Sequence, residues 1–82
     1  MKITNSVTVK EFEAAIDKCR GNVYLIDHLG SKLDLKSTFA RYVSIGKLLD
    51  IEGDKMELFC DVKADEVHFL KFFNDNPEVL RG

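Results

Sequence analysis

Proline is almost absent from this sequence. Pro77 is the single one in 82 residues, so no proline-rich linker divides the chain. Tryptophan is missing, and cysteine occurs only at Cys19 and Cys60. These two lie far apart without paired spacing, which argues against a zinc site or a redox motif and predicts two reduced thiols packed as small hydrophobes. An excess of positive charge is lacking too. Lys and Arg number 12 against 14 Asp and Glu, a net charge of −2, so there is no electrostatic footprint for nucleic acid. No apolar run approaches the length of a membrane span, and the first five residues lack the apolar core of a signal peptide, which makes the cytoplasm the expected compartment.

What is present is an ordinary globular composition, 45% hydrophobic and 32% charged. The length suits one domain over residues 1–82. Such a domain buries roughly 60% of the surface of its unfolded chain, so its thin core must be used efficiently.

Lys2 to Thr4 reads as a short strand, and Asn5-Ser6 as a turn. Thr8-Val9-Lys10-Glu11 has capping-box spacing, with Val7 and Phe12 placed as a hydrophobic staple. Phe12, Ala15, Ile16 and Cys19 then recur at helical spacing, leaving Lys10, Glu13, Asp17 and Lys18 outside. Gly21 is placed to end this helix in the left-handed conformation. Val23-Tyr24-Leu25-Ile26 is β-branched and aromatic, a second strand, followed by a turn at Asp27-His28-Leu29-Gly30. Lys32 to Lys36 alternates strictly, a third strand half buried through Leu33 and Leu35.

Ser37 is a good N-cap for a short helix that carries Phe39, Tyr42 and Val43 and stops at Gly46. Leu48 to Asp54 reads as a connector closing on a turn. Met56, Leu58, Cys60 and Val62 alternate with Glu57, Phe59 and Asp61, a fourth strand. Ala64-Asp65-Glu66 opens a last helix with acids in its first turn, favourable to the macrodipole. Its inner stripe is Phe69, Leu70 and Phe73, and Asn76 before Pro77 ends it. The order β-α-β-β-α-β-α predicts an α+β open-faced β-sandwich, a four-stranded antiparallel sheet with three helices on one face.

Gly30-Ser31-Lys32-Leu33-Asp34-Leu35-Lys36-Ser37, then Val43-Ser44-Ile45-Gly46, then Ala64-Asp65-Glu66 leading into Phe69, Leu70 and Phe73, together resemble the histidine-containing phosphocarrier protein HPr of the bacterial sugar phosphotransferase system. The resemblance runs from about the first helix to Phe73. That family accepts phosphate on a histidine in Gly-Leu-His-Ala-Arg-Pro at the start of its first helix, where helix N-terminus and arginine assist. Here Asn5-Ser6-Val7-Thr8-Val9-Lys10 stands in its place. Thr8 falls near the histidine and Lys10 near the arginine, a degenerate active site. A phosphothreonine ester is not readily passed on, and a Glu11 carboxylate in the capping box would repel phosphate. The phosphocarrier chemistry is read as lost, and the chain as a non-catalytic binding or regulatory protein rather than an enzyme, without cofactor or metal. The alternatives are a phosphocarrier using another residue, or a regulator phosphorylated at Ser37. Ser37 matches the serine that a dedicated kinase modifies in many Gram-positive members.

The resemblance also turns Tyr24 and Ile26 inward, leaving Val23 and Leu25 on the open face. With Phe59 they would form an apolar patch among Lys32, Asp34 and Glu57, a candidate interface together with Phe39 and Tyr42. The implied partners are proteins, among them phosphotransferase-system or transcription-regulatory proteins, or a second copy of the chain; nucleic acid and membrane are not expected. His28 at a turn and His68 on the outer side of the last helix read as surface histidines.

Overall fold

The computed structural model describes residues 2–49 and 56–81. Its elements are α1 (Ser6–Lys18), β1 (Val23–Ile26), β2 (Lys32–Asp34), α2 (Thr38–Leu49), β3 (Glu57–Cys60), a 3-10 turn (Lys63–Asp65), α3 (Glu66–Asp75) and a closing 3-10 helix (Pro77–Arg81). Among the described residues the sheet has three strands, in the order β2-β1-β3, with both pairings antiparallel. The α+β class and the open sheet stand. Of the four expected strands, the first, at Lys2–Thr4, does not form. Lys2 N donates to Val79 O at 2.8 Å and Ile3 N to Leu48 O at 3.1 Å, so this segment is tied to helical elements and inserts the fully buried Ile3 between them.

Helix α1 begins earlier than the capping box suggests. Asn5 is its N-cap, in extended conformation, and its Oδ1 accepts from Thr8 N at 2.9 Å and from the Thr8 hydroxyl at 3.0 Å. Asparagine caps at least as well as threonine. The earlier start draws Thr8 into the first turn, where it is buried on the face shared with Phe12, Ala15 and Ile16. Glu11 does not reach back to the helix start. Its Oε2 accepts from Asn76 Nδ2 at 2.7 Å, beyond the end of α3. Val7 is exposed, so the staple is not made.

The other end of α1 is closed by a distant cation. Lys36 Nζ donates to Ile16 O at 2.9 Å and Cys19 O at 2.6 Å, positive charge on the negative end of the helix. Gly21 is not left-handed; Gly30, with φ 84°, is the one described residue that is. Glycine is needed at 21 for space. A Cβ there would sit 2.5 Å from Val62 Cγ2 and 3.3 Å from Val62 Cβ.

In the sheet, Tyr24 faces Asp34 and Phe59 across its neighbours, Ile26 faces Lys32 and Glu57, and Leu25 faces Leu33 and Leu58. Three of the four partners of Tyr24 and Ile26 are charged, so that side of β1 is the open one. Val23 and Leu25 are fully buried, opposite to the phase the resemblance implies. The β1–β2 turn forms as expected. Asp27 Oδ1 accepts from Leu29 N and Ser31 N, each at 2.9 Å, and Gly30 supplies the positive φ. Strand β2 is shorter than expected because Asp34 turns the chain, its Oδ1 accepting from Lys36 N and its carbonyl from Ser37 N.

Helix α2 passes through Gly46 and continues to Leu49, with Ser44 and Leu48 inward. Residues 50–54 of the expected connector lie outside the described residues. In α3 the buried pair is Phe69 and Phe72, while Leu70 is exposed and Phe73 half-buried. Asp65, Phe69, Phe72 and Asn76 follow one another at helical spacing and are all buried, so the inner face runs through Phe72 and not Leu70. The rings of Phe69 and Phe72 lie 5.9 and 5.5 Å from that of Phe12, joining α3 to α1 over the inner side of the sheet.

Candidate functional site

The start of α1, where the resemblance sets phosphate chemistry, is internally satisfied. The Thr8 hydroxyl is buried and donates to the same Asn5 oxygen that caps the helix. Lys10 is exposed, one turn into α1. His28 is exposed in the β1–β2 turn. His68 is half-buried on α3, in a cleft of about 360 Å³ between α1 and α3 whose walls include Glu11, Lys18 and Lys71. The expected outer placement of His68 is therefore replaced by a groove wall of mixed charge.

Ser37 stands at the start of α2. Its carbonyl accepts from Arg41 N at 2.8 Å and its Oγ from Ala40 N at 3.5 Å, the hydroxyl remaining exposed. The adjacent Lys36 ammonium points instead to the carbonyls of α1. Arg41, one turn on, is a strut. Its Nε donates to Leu35 O at 2.8 Å and its guanidinium reaches Asp17 at 2.9 Å and Glu13 at 3.9 Å. Phe39 and Tyr42 flank it, 79% and 74% exposed.

The open side of the sheet carries the densest arrangement. Tyr24 and Phe59 are cross-strand partners with ring centroids 6.5 Å apart. Lys32 Nζ lies 5.3 Å from the Tyr24 ring centre and 5.9 Å from that of Phe59, within cation–π range of both. Asn22 Nδ2 donates to the Tyr24 hydroxyl at 3.2 Å. Of the expected patch of Val23, Leu25 and Phe59, only Phe59 is on this side, 48% exposed. Its companion is Tyr24, which the reversed phase had placed inside.

Asp65 performs a task its sequence position does not advertise. Its carboxylate makes no bond to the start of α3; it accepts from Arg20 N at 3.0 Å and Gly21 N at 2.9 Å, closing the loop after α1. The Gly21 amide first, then the Arg20 amide, hold this carboxyl below the usual range against the opposing effect of burial. The same junction brings the two cysteines together. Cys19 Sγ donates to Ala15 O at 3.3 Å and lies 3.9 Å from Asp65 O, and Cys60 reaches the same junction as the cross-strand partner of Val23. Burial pushes both thiols up, Cys60 to about 11. The fold makes neighbours of two residues whose sequence spacing gives no sign of it.

Among the described residues no group of three or more His, Cys, Asp or Glu is gathered as a metal site, and no helix is long and apolar enough to cross a membrane. Comparison with family models, curated proteins and solved structures finds no match.

Proposed function

We propose that this protein is a non-catalytic binding or regulatory module, akin to the histidine phosphocarriers but without their phosphate-accepting residue, which works in the cytoplasm and engages a protein partner through the open side of its sheet. The observation that carries this reading is the contiguous Tyr24–Phe59 pair with Lys32 across both rings. Aromatic residues are enriched at protein interfaces, and tyrosine is among the side chains that carry most of the binding energy there. The flanking Asp34 and Glu57 oppose Lys32 in charge, which disfavours a nucleic-acid backbone. The committed hydroxyl of Thr8 supports the loss of carrier chemistry. A phosphotransferase-system component, a transcription regulator or a second copy of the chain would each suit such a face.

Phe59→Lys tests the reading on the simplest partner, a second copy. The circular dichroism spectrum should stay as in the wild type, and the monomer fraction in sedimentation should rise. An unchanged mass would discard self-association. Incubation with phosphoenolpyruvate and the family's phosphoryl donor enzyme should leave the chain unmodified; acid-labile phosphate on His28 or His68 would overturn the non-catalytic reading. The exposed hydroxyl of Ser37 favours regulation by a serine kinase as a second reading, and equal phosphate uptake by wild type and Ser37→Ala would remove it.

A further inference from the structure

We propose that Cys19 and Cys60 form one dithiol site, which a low-molecular-weight disulfide such as glutathione disulfide converts to an intramolecular disulfide joining the end of α1 to the end of β3. Three contacts hold the two segments together independently of the sulfurs. Asp61 N donates to Asn22 O at 3.0 Å, Cys60 is the cross-strand partner of Val23, and Asp65 binds the amides of Arg20 and Gly21. The segments that carry the two cysteines are therefore held against each other by their backbones.

Access is unequal. Cys19 is buried, whereas Cys60 is half-buried and lines an open cleft of about 210 Å³ between β3 and α3, with Leu58, Phe69, Leu70 and Phe73 around it. Cys60 is thus the thiol that meets the oxidant. Its thiolate attacks one sulfur of glutathione disulfide and expels one glutathione thiolate. The Cys19 thiolate then attacks Cys60 Sγ of the mixed disulfide and expels the second. One sulfur–sulfur bond forms in the protein and one is lost in the oxidant. The two protons given up by the cysteines end on the two glutathione thiols. Burial above all, and then the charges of Cys19, Asp65 and Glu66, oppose thiolate formation at Cys60, so the exchange is slow and the pair is a latch set by sustained oxidation, not a fast peroxide sensor.

The test is equilibrium exchange of the whole chain in glutathione buffers, once under native conditions and once in urea, read by acid quench, alkylation and intact mass. The native protein should lose two hydrogens and take no alkyl group, with an equilibrium constant at least about tenfold above that of the urea-unfolded chain, because the fold prepays closure of a loop of roughly 40 residues. Cys19→Ser should stop at the glutathione adduct on Cys60. A native constant equal to or below the unfolded one, or native wild type that halts at the mixed disulfide, would overturn the assignment.

Discussion

Gly21→Ala should destabilise the protein although no left-handed backbone is involved. Alanine at an ordinary backbone position stabilises by about 0.4–1 kcal/mol, by reducing the freedom of the unfolded chain. Against this stands a methyl group 2.5 Å from Val62 Cγ2, where a valine fixed at its first torsion has little room to yield. Overpacking of this kind costs about 1–3 kcal/mol. Relief by moving the loop would pull the Gly21 amide from Asp65 Oδ2, now 2.9 Å away. The expected net loss is about 1–2 kcal/mol, which lowers a urea midpoint by roughly 1 M for a domain of this size. Val62 is 41% exposed, so Val62→Ala alone should cost less than about 1 kcal/mol. Combined with Gly21→Ala it should return most of the loss, an interaction of about 1–2 kcal/mol in the double-mutant cycle. Urea unfolding followed by circular dichroism gives all four stabilities. A Gly21→Ala protein as stable as wild type, or one that Val62→Ala fails to restore, would refute the steric account.

Phe12→Ala should cost about 3–5 kcal/mol, since a fully buried ring in contact with Phe69 and Phe72 leaves a cavity that α1 and α3 cannot both collapse into. Thermal unfolding checks it, and a loss below about 1 kcal/mol would contradict the packing. Asp65 titrates below its usual range in the folded protein, so its contribution to stability is fully present above the unfolded carboxyl value of about 3.9 and is lost as pH falls through the lower folded one. Asp65→Asn should therefore be less stable than wild type near neutral pH and lose stability less steeply in acid; parallel urea midpoints against pH would rule out this role.

The elements were legible where the residues speak for themselves. The Asp27 to Gly30 turn, the inward Phe12–Ala15–Ile16 stripe and the alternation around Phe59 all formed as read. The failures share a cause, which is that the deciding partner is remote in the chain. Thr8–Glu11 and Asn5–Thr8 both fit a helix start, and the first loses because Glu11 is taken by Asn76. Val23-Tyr24-Leu25-Ile26 has no polar residue, so its phase cannot be read from itself; it is set by Asp34, Lys32 and Glu57 on neighbouring strands. Lys36 reads as the end of a strand and Asp65 as an acid at a helix start, and each instead satisfies backbone groups far along the sequence. The open-face site was half legible: Phe59 from its own alternation, Tyr24 only from cross-strand pairing.

The tether of Ile3 has a consequence for how the molecule comes into being. Its amide is held by Leu48 and the amide before it by Val79, so residues 2 and 3 dock against parts of the fold far away in sequence. The central strand likewise waits for β3 to pair on its second edge. Contacts of such sequence separation are slow to close. The segment at Lys2–Ile3 can dock only once α2 and the Pro77–Arg81 turn stand in place, so these distant parts of the fold gain their order together.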